Sequence, residues 1–304
     1  MAAIVVEELT RDYGPIRAVD HVSFTVEPGE VFALLGPNGA GKTTTVEILE
    51  GYRSPDGGRV SVLGFDPATG GRAYRERIGI VLQSAGFEEE FTVGELIRMQ
   101  AALYPRRHDP DELAELVGLA DRSRTRVKAL SGGQRRRLDL ALGLAGAPDL
   151  LFLDEPTTGF DPAARHHAWD LIERLRRLGT TILLTTHYIE EAQRLADRVA
   201  VLRDGHLVAL GRPSELEALC GLPTRITFSL PPTAAAADLP GVSGSVTLDD
   251  RTVVIRTHQA LADTHALTGW ARARGIDLPG LTLTPPTLED AYLSLTGEPA
   301  DDDS

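Results

Sequence analysis

From the amino end, apolar residues first recur in short β-type runs, "AIVVEEL", "VSFTVEPGEVFALLG" and "GRVSVLG". The turn "EPGE" divides the second run, so the opening segment predicts strands joined by tight connections. After Lys42 the spacing changes. "TTTVEILEG" predicts a helix ending at Gly51, and the apolar stretch Ile78 to Leu82 predicts a buried strand. From Ser84 to Lys128, "TVGELIRMQAALY" and "DPDELAELVGLA" carry helical spacing, the second opened by the helix-start pair Asp109 and Pro110. "GQRRRLDLALGLAG" is again helical, and "DLLFLDEP" is an apolar strand ending in two carboxylates. "ARHHAWDLIERLRRLG" predicts an amphipathic helix closed by Gly179, "TTILLTTH" a further buried strand and "IEEAQRLAD" a helix. "RVAVLRDGHLVALG" predicts a hairpin about Asp204 and Gly205.

Strands alternating with helices predict an α/β domain with a mostly parallel sheet, and the β-rich start predicts an added antiparallel portion. "GRPSELEALCGLPT" places a boundary near residue 222. The expected organisation is a first domain over residues 1–221, with a helical subdomain at about 84–143, then a small α+β domain over 222–304. "PPTAAAADLPG" reads as a loop within the latter, and no internal repeat is present.

Composition narrows the picture. A hydrophobic fraction of 42% supports a packed core. No apolar run approaches the roughly 20 residues of a spanning helix, and the start lacks the pattern of a signal peptide. The expectation is a cytosolic chain that reaches a membrane only through a partner. The single cysteine, Cys220, cannot build a disulfide framework and reads as a packing or surface residue. A net charge of −13 and the ending "DDDS" disfavour nucleic acid as a partner. Only Lys42 and Lys128 are lysines; every other cation is arginine.

One of those lysines falls in "GPNGAGKTT", which fits G-x-x-x-x-G-K-[ST] between an apolar strand and a helix. The loop over Gly36, Pro37, Asn38, Gly39, Ala40 and Gly41 can wrap phosphates with the backbone N–H groups of its residues other than proline. Lys42 can reach the β- and γ-phosphates, Thr43 can offer its hydroxyl to Mg²⁺, and Thr44 can add a phosphate contact. Asp154 can hold the metal through its water shell and Glu155 can polarise an attacking water. His187 follows a buried strand, where ligands bind in parallel sheets. It could meet the γ-phosphate and orient Glu155. Gln83 also ends a strand; its amide either meets Mg²⁺ or the water, or is a surface group. Tyr13 could stack on adenine or be a half-buried strand aromatic, and spacing alone does not separate these. His166 and His167 point to different sides of a helix and read as surface or packing residues. "LSGGQ", from Leu130, sets Ser131, Gly132 and Gly133 at a helix start: an anion-binding turn with no lysine of its own.

Taken in order, Tyr13, "GPNGAGKTT", Gln83, "LSGGQ", "LLFLDEP", "GFDP" and His187 resemble the nucleotide-binding subunits of ABC transporters over roughly residues 3 to 215. The resemblance implies ATP and Mg²⁺ as cofactors and a head-to-tail dimer. Ser131, Gly132, Gly133 and Gln134 of one copy would then face the γ-phosphate held by the other. Asp161 matches the loop that crosses the interface, with Phe160 where leucine is usual. One cradle and one signature per chain imply a homodimer or a pair with a similar chain. "PPTLEDAYLSLTGE" and "RRRLDLALGLAG" resemble the daunorubicin-resistance-type export ATPases of the ABC-2 class. That implies a separate membrane permease docked on the helical insertion. A soluble ABC ATPase acting on ribosomes usually carries two cassettes and a charged linker, and a DNA-repair ATPase a long coiled coil. This sequence has one cassette and no sustained heptads. A lone importer ATPase is disfavoured by the C-terminal ending.

Overall fold

The computed structural model describes residues 1–82, 86, 88–232 and 234–296. By packing, the chain divides into two compact units, Met1–Pro213 and Ser214–Ser304. The division falls before the boundary expected near residue 222, because the "SELEAL" helix groups with the second unit.

The first unit opens with strands β1 (Ile4–Tyr13), β2 (Ile16–Val26) and β3 (Val31–Leu35), followed by helix α1 (Lys42–Leu49). Then come β4 (Gly57–Val62), α2 (Gly71–Arg75) and β5 (Ile78–Val81). Helix α2 was not foreseen; at one turn it is too short to show periodicity. The helical stretch holds α3 (Val93–Ala101), α4 (Pro110–Leu116) and α5 (Gly132–Leu144). Local capping fixes where each begins. Thr92 and Glu95 form a capping box at α3, Asp109 caps α4 with Pro110 behind it, and Ser131 with Gln134 forms a second box at α5. The unit continues through β6 (Leu150–Asp154), α6 (Pro162–Arg177), β7 (Thr181–Thr186), α7 (Ile189–Leu195), β8 (Arg198–Arg203) and β9 (His206–Gly211).

Two sheets result. An antiparallel sheet has the order β2-β1-β4, and a six-stranded sheet has the order β5-β6-β7-β3-β8-β9. Strands β5, β6, β7, β3 and β8 run parallel, and β9 returns antiparallel through Asp204 and Gly205, both at positive φ. Every residue of β3 and β7 is buried, as a sheet covered on both faces requires. One core joins the two sheets: Ile4, Leu9 and Phe24 on one side, Phe32, Leu34, Phe152 and Leu183 on the other, and Ile48 and Leu49 of α1 between them. Phe24 stacks on Phe32 with ring centroids 5.1 Å apart.

The second unit contains α8 (Pro213–Leu219, opening at the junction), β10 (Thr224–Ser229), β11 (Ser245–Asp249), β12 (Thr252–Thr257), α9 (Ala260–Arg274), β13 (Thr282–Thr284) and α10 (Leu288–Thr296). Its antiparallel sheet has the order β11-β12-β10-β13, and α9 packs on β10. Ile226, Phe228, Val253, Ile255 and Leu267 form its core.

Candidate functional site

The order β5-β6-β7-β3 sets the carboxyl ends of four parallel strands side by side, where open α/β sheets bind ligands. The glycine-rich loop follows β3. Asp154 ends β6, His187 follows β7, and Leu82 follows β5. Register fixes the alignment, since Leu35 is paired with Thr186 and Asp154 with Thr185.

The loop is shaped by its own backbone. Gly36 N–H donates to Thr186 O at 3.3 Å, tying the loop to the end of β7. A Cβ at Gly36 would lie 2.3 Å from Leu202 O, and one at Gly41 2.3 Å from Ala18 O. Gly41, at φ 96°, also adopts a conformation other residues avoid. It begins α1 with no side-chain cap, so the first N–H groups of the helix and the positive end of its dipole are available to an anion. Lys42 curls over the loop and donates to Gly36 O at 2.7 Å and Pro37 O at 3.0 Å. Burial lowers its pKa, while the charges of Glu155 and Asp154 oppose that shift. Thr43 is exposed beside it and Thr44 half-buried.

At the end of β6 one hydroxyl organises two carboxylates. Thr185 Oγ1 donates to Asp154 Oδ1 at 2.5 Å and accepts from the Glu155 N–H at 3.0 Å. Glu155 itself sits at φ 45°, a strained position for a residue with a side chain. Its Oε2 accepts from Thr158 Oγ1 at 3.1 Å, and its Oε1 lies 3.3 Å from His187 Nδ1 and 3.9 Å from Lys42 Nζ. The imidazole is in ion-pair range yet not aligned for a hydrogen bond, and Nδ1 is enclosed with no hydrogen-bond partner among the described residues. The ring packs on Tyr188 at 4.1 Å.

Two further groups support this cluster. Arg136 of α5 reaches across to the turn after β6, donating to Asp154 O at 3.1 Å, Glu155 O at 3.3 Å and Pro156 O at 3.2 Å. Behind the turn, fully buried Glu191 accepts from Thr157 Oγ1 at 2.8 Å and Trp169 Nε1 at 3.0 Å, with burial raising its pKa.

The signature turn stands elsewhere. Ser131 Oγ accepts from the Gln134 N–H at 3.3 Å, and Gln134 Oε1 accepts from the Ser131 N–H at 2.9 Å, so both residues hold the start of α5. A Cβ on Gly132 would meet nothing within 4 Å, and one on Gly133 only Ala164 Cβ at 4.0 Å. These residues line an open cleft of about 1030 Å³ with Phe160, Asp161 and His167; among the described residues lining it, none comes from 36–44. Asp161 caps α6 through Ala164 N–H at 2.8 Å. Tyr13 ends β1 on the antiparallel sheet, 37% exposed, with the guanidinium groups of Arg11 and Arg53 at 5.2 and 5.5 Å from its ring.

The structure therefore brings together Lys42, Asp154, Glu155 and His187, and sets Ser131, Gly132, Gly133, Gln134 and Asp161 around a second cleft. Gln83 lies outside the described residues. Sequence reasoning missed Thr185, Arg136 and Glu191. Helical spacing was a usable signal for Arg136, which shares a face with buried Asp139 and Leu140.

Comparison with known proteins places this geometry in a family. The family described as "ABC transporter" matches residues 19–158, and that described as "ABC transporter domain-containing protein-like, C-terminal domain" matches residues 224–287. The daunorubicin resistance ATP-binding protein DrrA3 of Streptomyces coeruleorubidus is 41% identical, over 97% of this chain and 96% of its own length. The Nod factor export ATP-binding protein I of Rhizobium etli is 37% identical, over 98% of this chain and 94% of its own. A solved ATP-binding subunit of an ABC transporter has a TM-score of 0.65 at 28% identity, covering 72% of this chain and 93% of that one. CbiO1 from Clostridium perfringens, part of the ABC transporter complex cbiONQ, has a TM-score of 0.64 at 30% identity, covering 71% and 91%. With relatives of this kind matched from end to end, the chain belongs to the ABC transporter family, as an ATP-binding ATPase subunit similar to the daunorubicin resistance and Nod factor export proteins.

Proposed function

We propose that this chain is the ATP-hydrolysing motor of an ABC-2 type exporter, acting as a homodimer or beside a similar chain on a separate membrane permease. The observation that carries this reading is the state of Gly132 and Gly133. Neither is at positive φ and neither is crowded by its own chain. Among the described residues of the protomer nothing calls for glycine there, whereas close approach of an outside phosphate does. Among the described residues lining the signature cleft, none comes from the lysine-bearing loop.

In the closed dimer, the loop from Gly36 to Gly41 wraps the phosphates with the backbone N–H groups of its residues other than Pro37. Lys42 trades its carbonyl partners for the β- and γ-phosphate oxygens, and Thr44 adds a contact. Ser131, Gly132 and Gly133 of the other copy close over the γ-phosphate, with Gln134 and Asp161 at the same interface. Glu155 takes a proton from water as the water oxygen bonds to the γ-phosphorus; the bond to the bridging oxygen breaks, giving ADP and phosphate. His187 holds Glu155 and the γ-phosphate in line, and the Gln83 amide would help hold the metal or the water. Tyr13 stacks on adenine.

The residues present suit Mg²⁺, which needs one or two protein oxygens and takes the rest from water and phosphate. Thr43 and Asp154 would hold it, and it would neutralise charge on the β- and γ-oxygens.

Among the described residues no helix is long and apolar enough to cross a membrane. Tyr52, Phe91, Met99 and Leu103 are large apolar side chains exposed on or beside the helical region, as a permease-docking surface needs. The transported molecule, drug-like, lipid or another small substrate, is then chosen by the permease. The second unit is an accessory domain.

Glu155→Gln tests the paired site. Hydrolysis should fall by about 10²–10⁴-fold, the scale of general-base loss, and size-exclusion chromatography with ATP and Mg²⁺ should resolve a nucleotide-bound dimer. A variant that remains monomeric, from a parent that turns over at full rate as a monomer, refutes the reading. Co-purification with the product of an adjacent permease gene tests the transport assignment.

A further inference from the structure

Three arginines follow the signature, and they do different things. Arg135 bonds Glu89 at 3.2 Å and Arg137 bonds Gly118 O at 3.0 Å, both in exposed settings. Arg136 turns inward, 14% exposed. Its guanidinium donates to three successive carbonyls, those of Asp154, Glu155 and Pro156, and also to Leu82 O and to Asp139 Oδ2. One flat cation thus joins α5, the turn that carries Glu155 and the exit of β5. A planar fork with five donors can span such a set; an ammonium cannot.

The turn needs a clamp. Glu155 is a non-glycine residue at φ 45°, and such conformations persist only where the surroundings over-determine them. The charge-assisted bonds from Arg136 fall on the carbonyls at and beside that residue. Ser131 lies five residues earlier on the same helix, so the helix end that meets a nucleotide and the clamp on Glu155 move as one rigid piece.

We infer that Arg136 is a positioning residue that couples the two nucleotide sites, holding the general base of one cradle to the helix whose start closes over the nucleotide of the other. This rests on the paired-site reading above. Arg136 touches no reacting atom. It sets where the Glu155 carboxylate stands, and a nucleotide that draws in the start of α5 shifts that carboxylate in the neighbouring cradle.

The test compares full-length wild type, Arg136→Lys and Arg136→Met. Affinity for a fluorescent ATP analogue is measured first, then kcat and the Hill coefficient for ATP hydrolysis. Because a displacement of about 1 Å can cost about 10²-fold in rate, Arg136→Met should lose roughly 10–100-fold in kcat. Arg136→Lys should fall between it and wild type. Affinity for the analogue should stay within about 3-fold of wild type, since an interaction acting only on the transition state leaves ground-state binding alone. The Hill coefficient should drop toward one in both variants. A packing role alone would not lower cooperativity while sparing affinity. Should Arg136→Met fail to fold, Arg136→Lys, which keeps the charge and most of the stem, decides alone. Cooperative wild type with unchanged kcat and cooperativity in the variants overturns this inference only, as does parallel loss of rate and affinity. Wild type that hydrolyses ATP without cooperativity overturns the paired-site reading and this inference with it.

Discussion

The ammonium of Lys42 and the carboxylate of Glu155 stand 3.9 Å apart, 5% and 12% exposed, though one follows β3 and the other β6. In this arrangement the lysine is held by two carbonyls of its own loop and faces the two carboxylates at the end of β6. Triphosphate arriving at the loop would displace weaker neutral acceptors with charged ones.

Lys42→Ala removes the ammonium that faces Glu155 and Asp154 and leaves both carboxylates toward the incoming phosphates. Charge-assisted hydrogen bonds contribute about 1.5–3 kcal/mol each, so ATP affinity should fall by about 10²-fold or more. Titration with a fluorescent ATP analogue checks this, and unchanged affinity would remove Lys42 from the phosphate site. Replacement by arginine should not restore binding, because the pocket between Gly36 O and Pro37 O holds a compact ammonium.

Ser131 has two jobs that substitution separates. Within the chain it caps α5 with Gln134, and Ser131→Ala should cost about 1 kcal/mol of stability through lost capping. Across the proposed interface it is a donor beside the partner's γ-phosphate. Ser131→Arg places a long side chain there and should lower turnover by about 10²–10³-fold, the scale of losing a transition-state donor. ATP binding to the separate protomer should stay near wild type, because the lysine-bearing loop is untouched. Nucleotide titration and steady-state hydrolysis on the same preparation check both halves. Equal loss in the two measurements would contradict a site shared between copies.

How much of this was legible in the sequence follows from what is local. The loop from Gly36 to Lys42, the carboxylates after β6 and the signature turn are each encoded in a few adjacent residues, with a strand or helix beside them. Their assembly is not local. Lys42 meets Glu155 because β6 and β7 are inserted next to β3 in the order β5-β6-β7-β3, and no spacing in the chain states that order. Nothing in the run Arg135, Arg136 and Arg137 by itself singles out the middle residue, although residues 136, 139, 140 and 144 share a helical face. Asp139, Leu140 and Leu144 on it are buried. Glu191 was hidden for another reason: an acid in the first turn of a helix reads as a dipole partner, and only tertiary packing on Trp169 reveals its burial. The unit boundary moved because helix α8 is amphipathic either way, and packing alone decides which unit takes it.

Glu50 offers a test of the electrostatics behind the phosphate loop. It follows α1 at the negative end of the helix dipole and is 6% exposed. Burial, with the charges of Asp154 and Glu47 adding to it, pushes its carboxyl from the ordinary 4.5 up to about 8. The sign follows from proton counting. Between pH 4.5 and about 8 the folded chain holds a proton on Glu50 that the unfolded chain has released, so stability falls as pH rises through that window. Below the window the group contributes no slope, and above it the cost of a buried carboxylate is complete. Glu50→Gln keeps the shape and removes the charge. It should match the parent near pH 4.5 and exceed it above pH 8, by on the order of a few kcal/mol. For a protein of this size each kcal/mol shifts Tm by roughly 2–4 °C, so thermal unfolding of parent and variant across the window resolves the effect. A difference that does not grow with pH, or a variant less stable than the parent at high pH, would mean that Glu50 is ionised in the folded chain and stabilised by a cation.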